Sequence, residues 1–184
     1  MKIFRWLFLI SAIALVVSCR SQQQQSAAPA GPVPVGTVRE VMRGIVDPSA
    51  DVLFNAVSTT ISAAGVEDRQ PRTDEEWELV QRGALTLVEA ANLLVLPRRV
   101  AHPEEENTSA APEELTPAEI QKKIDANREA WVKHVLQLQS VATQALKTTQ
   151  ARDPQALFDV GEHIEKACES CHMEFWYPDD VRPF

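Results

Sequence analysis

The sequence is poor in aromatic residues (6% of 184), holds one tyrosine and three cysteines, and has no run of Lys or Arg. The missing basic run excludes a nucleic-acid binder, because neutralising phosphates takes clustered cations and here 18 basic residues face 26 acidic ones, a net charge of −8. The length allows one ordinary domain at most. No apolar run is long enough to cross a membrane: the longest, Trp6 to Val17, has 12 residues with Ser11 as its only polar member, too short for a hydrocarbon core of about 30 Å. The few cysteines inform by position. Cys19 stands alone near the start, whereas Cys168 and Cys171 form a Cys-x-x-Cys followed directly by His172.

Lys2 and Arg5 ahead of Trp6 to Val17 make the pattern of a signal peptide. Val16-Val17-Ser18-Cys19 resembles the bacterial lipoprotein signal. That resemblance implies removal of residues 1–18 and a lipidated Cys19 as the mature N-terminus; a plain secretory signal is the other reading. Loss of Lys2 and Arg5 leaves 16 basic against 26 acidic residues, net −10. Residues 19–36, with four consecutive glutamines (Gln22 to Gln25) followed by Ala, Pro and Gly, cannot bury a core and are expected to form a flexible tether. Several acyl chains on it would anchor the protein persistently.

Residues 37–184 are expected to be all-α. A first helical pattern from about Thr37 to Ala64 places Met42, Ile45, Val46, Leu53, Ala56, Val57 and Ile61 near a 3.6-residue period. It is interrupted at Asp47-Pro48, where a kink or restart is expected, and stopped by Gly65. A second helix opens on the capping box Thr73/Glu76 and runs to Pro97. Between Pro97 and Leu115, three prolines and five glutamates predict an exposed, mobile acidic loop. A third helix opens on Thr116-Pro117-Ala118-Glu119 and ends near Gln150, and Asp153-Pro154 starts a fourth that ends at Pro178. No β-strand signal competes. Four amphipathic helices bury their stripes most simply as an antiparallel four-helix bundle, and the scarcity of aromatics leaves room inside it for a cofactor.

In Cys168-Glu169-Ser170-Cys171-His172 the thiols are three apart and the histidine is four beyond the first, so on a helix all three project to one side. Covalent c-type haem attachment needs this set: two cysteines for the thioethers and a histidine to ligate the iron. Export fits the same reading. A thioredoxin-like redox pair would open a helix after a strand, and no βαβ pattern exists. Zinc would need four ligands, with only these cysteines and one or two of four histidines at hand. A disulfide within this helix would be strained.

The arrangement resembles the class II cytochromes c, the cytochrome c-prime family, over about residues 37 to 177. It rests on Cys168-x-x-Cys171-His172 near the end of the last helix, on the helix count, and on Met42 preceded by Arg39 in the first helix. The resemblance implies one covalent haem on Cys168 and Cys171 with His172 as proximal ligand. It also implies Met42 as distal ligand, as in the family's low-spin members. Met42 as core filler is the bland reading. Arg39 would pair with a haem propionate or serve as a surface arginine. His134 is the rival sixth ligand, His163 is expected to be exposed, and His102 lies in the acidic loop. Phe175-Trp176-Tyr177 would shield the haem edge or close the end of the bundle. The Asp47-Pro48 break and the long acidic loop depart from the family pattern.

The function these readings imply is single-electron transfer, on the periplasmic side of a bacterial membrane, to a partner with a basic docking patch. A five-coordinate haem open to nitric oxide or carbon monoxide is the alternative if Met42 does not ligate, and a haem subunit of a larger membrane-associated oxidoreductase is a third. A homodimer is allowed. Apart from the haem motif there is no nucleophile–base pair, metal-ligand cluster or phosphate loop, so no independent enzyme is expected.

Overall fold

The computed structural model describes residues 31, 33–109 and 111–178. Residues 1–18, expected to form a signal peptide, and Cys19 lie outside the described residues. Over the described residues the chain is predominantly helical, with one small two-stranded sheet. Thr37 caps helix α1 (Val38–Val41): its hydroxyl accepts from the Glu40 amide at 3.1 Å while Glu40 reaches back to the Thr37 amide at 2.8 Å. The chain continues as one π-helical turn (Met42–Val46) into α2 (Asp47–Phe54). Pro48 explains the wide turn. Its ring would strike the carbonyl four residues back in an α-helix, and widening the preceding turn, with the Asp47 amide donating to the Met42 carbonyl, relieves the clash without breaking the rod. The expected break is thus a change of winding.

The first helix does not reach Ala64. It stops at Phe54, and a hairpin follows, β1 (Ser58–Ser62) antiparallel to β2 (Gly65–Arg69), with Ile61 opposite Val66. The expectation of no strand is therefore corrected. β-Branched Thr59, Thr60 and Ile61 favour extended backbone, Gly65 takes φ +129° at the turn, and Thr59 donates to Asp68 across the strands at 2.8 Å. Residues 59–70 are all exposed. Ile61, read as part of an apolar helical stripe, is 80% exposed.

Helix α3 (Asp74–Val95) has the expected Thr73/Glu76 capping box. Its C-terminal carbonyls, which have no partner within the helix, are taken by side chains from elsewhere. Arg98 donates to Leu93 O at 2.6 Å, Trp131 Nε1 to Leu94 O at 3.0 Å, and Arg128 to Val95 O. The third helix is divided. Asn127, at φ −140° and ψ 64°, ends α4 (Pro117–Ala126) and caps α5 (Arg128–Ala151) by accepting from the Ala130 amide at 3.2 Å. Arg152, in the left-handed region at φ 53°, turns the chain into α6 (Pro154–Phe175), capped by Asp153.

Helices α3 and α5 run antiparallel: Trp131 meets Leu94 near one end, and Arg152 pairs with Asp74 at 2.6 Å near the other. Alanines let them approach closely, with Ala84, Ala90, Ala91, Ala142 and Ala145 fully buried around Leu87 and Ile164. Gly83 does the same for α2 against α3, since a Cβ there would stand 2.8 Å from Val52 Cγ1.

The acidic loop is partly built into the fold. The Val38 and Arg39 amides donate to Arg99 O and Val100 O at 2.9 and 3.0 Å, Val100 and Ala101 are buried, and Pro103–Glu105 forms a 3-10 turn. The segment is a strap across the start of α1. Its prolines and glutamates made it look free; the buried Val-Ala pair beside His102 is what ties it down.

Candidate functional site

α6 needs no unusual device to present its motif. Leu157, Val160, Ile164 and Ala167 bury one face, and the next positions on that face, Cys168 and Cys171, pack against the core half-buried, with His172 beside them. These three residues line a cavity of about 430 Å³ together with Met42 and Arg39, a size within the range of small-molecule and cofactor sites. All five sequence-derived site residues among the described residues are thus brought to one place from opposite ends of the chain. The cavity wall is largely apolar, with Val46, Leu94, Trp131, Val135 and Leu138 among its members, and Thr108, Leu115 and Pro117 contribute from the loop side.

The two thiols are electrostatically quiet. Burial pushes Cys168 up to about 11, with Glu169, Asp47 and Glu165 adding to it. Burial pushes Cys171 up to about 12, helped by Cys168 and Glu174. A redox Cys-x-x-Cys depends on the opposite, a thiolate stabilised in an electropositive setting. Burial also pushes the His172 imidazole below its usual value, against the carboxylates of Glu169 and Asp47. It is therefore neutral at physiological pH, the form that can ligate a metal. Among the described residues no group of three or more His, Cys, Asp or Glu side chains is arranged to hold a metal ion, so a metal here would need further donors from a ligand of its own.

Met42 is half-buried and opens the π-helical turn. Such turns re-aim side chains and are frequent at functional sites. Arg39 is already engaged: it pairs with Glu105 at 3.4 Å and donates to Thr108 at 3.1 Å, so service to a propionate would mean sharing its guanidinium. His134 also lines the cavity, but both ring nitrogens are occupied, Nε2 with Glu174 at 2.8 Å and Nδ1 with Ser170 Oγ at 3.4 Å. His163 is exposed. His102 pairs with Glu40 at 3.1 Å in the strap, away from the motif.

Sequence reasoning missed the surroundings of His172. Its carbonyl accepts from the amides of Trp176 and Tyr177 at 2.7 and 3.0 Å, and both rings pack edgewise on the imidazole, with centroids 5.0 and 5.8 Å away. Tyr177 is buried and donates to Glu169 Oε2 at 2.7 Å. Glu169 Oε1 in turn lies 4.0 Å from His172 Nδ1. The spacing of Glu169, three residues before His172, was a usable signal; the return of Tyr177 onto it was not. Comparison of the chain with protein-family models, curated proteins and solved structures finds no match.

Proposed function

We propose that the chain is an exported, membrane-tethered cytochrome c that carries single electrons through one covalent haem. The observation that carries this reading is the meeting of Cys168, Cys171 and His172 with Met42 in one apolar cavity. The residues present fit the group: two protonated thiols on consecutive turns for the thioethers, a neutral imidazole, and a thioether side chain from another element. Bound there, the haem supplies a one-electron ferric/ferrous couple, which His/Met ligation biases toward the ferrous state. Cys168 and Cys171 would hold it through thioethers, and His172 and Met42 would ligate its iron. Val46, Leu94 and Trp131 give the cavity an apolar wall, while the rings of Trp176 and Tyr177 pack edgewise on the imidazole.

The fold reading belongs with the function. α1 with α2, α3, α5 and α6 would be the four members of an antiparallel bundle of the cytochrome c-prime type, with α4 and the hairpin as additions; the antiparallel α3–α5 pair supports it. Cys19 would carry the lipid on the periplasmic side of the membrane. The acidic surface, net −10 after processing, would steer the protein to a basic docking patch on a redox partner.

The test is the absorption spectrum of the mature chain, produced with cytochrome c maturation, in ferric and ferrous forms with and without carbon monoxide. A low-spin c-type spectrum that ignores carbon monoxide is expected, with no covalently haem-stained band from the Cys168→Ala/Cys171→Ala double variant. A high-spin spectrum that shifts with the gas would replace the carrier with a gas-binding haem protein. Absence of haem from the wild type would overturn the reading.

A further inference from the structure

Glu169, Trp176 and Tyr177 close on His172 and form a chain of contacts. The buried Tyr177 hydroxyl donates to one oxygen of Glu169, the other oxygen stands 4.0 Å from His172 Nδ1, and the backbone of Trp176 and Tyr177 is pinned to the His172 carbonyl. The tail is fixed from the loop side as well, because the Leu115 amide donates to Trp176 O at 2.8 Å. Glu169 is therefore a half-buried carboxylate held in place, and no ion pair between it and a Lys or Arg is found among the described residues. Its charge is left to act on the imidazole.

We propose that Glu169, held by Tyr177, is the positioning residue of the proximal histidine, orienting the His172 ring and lowering the reduction potential of the site. This rests on the haem reading above. A ligating histidine ordinarily turns its second nitrogen to a carboxylate, carbonyl or water, which fixes the ring and makes it a stronger donor. At 4.0 Å the contact is electrostatic and not a hydrogen bond. A negative charge at that distance, partly screened because both side chains are only half-buried, still favours the more positive ferric state. The electron enters from the redox partner and leaves to its acceptor; Glu169 shifts the balance between the two states without gaining or losing a bond.

The experiment is spectroelectrochemistry on the full haem-loaded chain. Glu169→Gln keeps the shape and an acceptor for Tyr177 but removes the charge. It is expected to move the ferric/ferrous equilibrium about tenfold toward ferrous, a rise of 59 mV for one electron, with the c-type absorption bands kept. Tyr177→Phe should move it in the same direction, and the double variant should go no further than Glu169→Gln alone, because the two residues act as one unit. Glu75→Gln, at the exposed start of α3 and outside the cavity, removes an equal charge and should leave the potential nearly where it was. An unchanged potential in Glu169→Gln, an equal shift in Glu75→Gln, or additive shifts in the double variant would overturn the proposal while leaving the haem reading intact. If Glu169→Gln fails to fold, the shift in Tyr177→Phe decides alone. A wild-type chain without haem would remove both.

Discussion

On the proposed haem reading, Met42 is the residue that would separate a closed iron site from an open one. It is half-buried, lies on the cavity wall, and leaves the helix at the point where the winding widens. Met42→Ala is expected to turn a low-spin spectrum high-spin and to make it respond to carbon monoxide; an unchanged spectrum would remove Met42 as ligand. At this scale the site was legible where its members are neighbours in sequence, since Cys168, Cys171 and His172 declare themselves by spacing alone. Arg39 was only half legible. Its place near the cavity followed from its position before Met42, but its partners Glu105 and Thr108 lie more than sixty residues away, and nothing in the sequence ties those segments together.

Helix pairs and the strap set the next level. At Gly83 the α2 surface comes so near α3 that a methyl group would meet the β-branched Val52 at 2.8 Å and the Ser49 carbonyl at 3.3 Å. Overpacking costs about 1–3 kcal/mol, against a gain in helix propensity of about 1 kcal/mol. Gly83→Ala should therefore lower stability by about 1 kcal/mol, and a urea midpoint at or above wild type would show that α2 yields.

The strap is sensitive to pH through Glu40 and His102. Glu40 is lowered from 4.5 to about 2, first by the Thr37 amide and then by His102. His102 is raised above 6.5 by its hydrogen bond to Glu40, with Glu104 and Glu105 adding to it. A lowered carboxylate contributes above its unfolded value and loses that as pH falls; a raised imidazole contributes below its unfolded value and loses that as pH rises through the folded one. The clasp is thus strongest between 4.5 and 6.5. Hydrogen-exchange protection of the Val38 and Arg39 amides should fall between about pH 5.5 and about pH 8. Equal protection, or the same fall in His102→Gln, would dissolve the clasp. Element starts were readable because capping is local: Thr73 and Thr116 cap as expected and Asp153 caps the last helix where it was expected to start, while the cap at Thr37 went unread. The hairpin was not, because Val57 and Ile61 satisfy a helical period as well as a strand, and the division at Asn127 turns on one residue's backbone angles.

Over the whole molecule, helical character followed from periodicity, whereas the meeting of Met42 with the last-helix motif was expected only from the family resemblance. The strap and the tail around His172 followed from neither, since both depend on contacts between distant segments, Val38 with Arg99 and Leu115 with Trp176. The mixed-sign rim where Arg39 and Arg43 meet Glu40, Glu104 and Glu105 likewise exists only once the strap crosses α1. The hairpin has a different standing. From 59 to 70 it buries nothing, its Ala63-Ala64 tip joins paired strands, and the core closes without it. Exposed tips of this kind tolerate inserted sequence, so the turn offers a splice point at which a fluorescent or affinity module can be grafted while both chain ends are left to their own tasks.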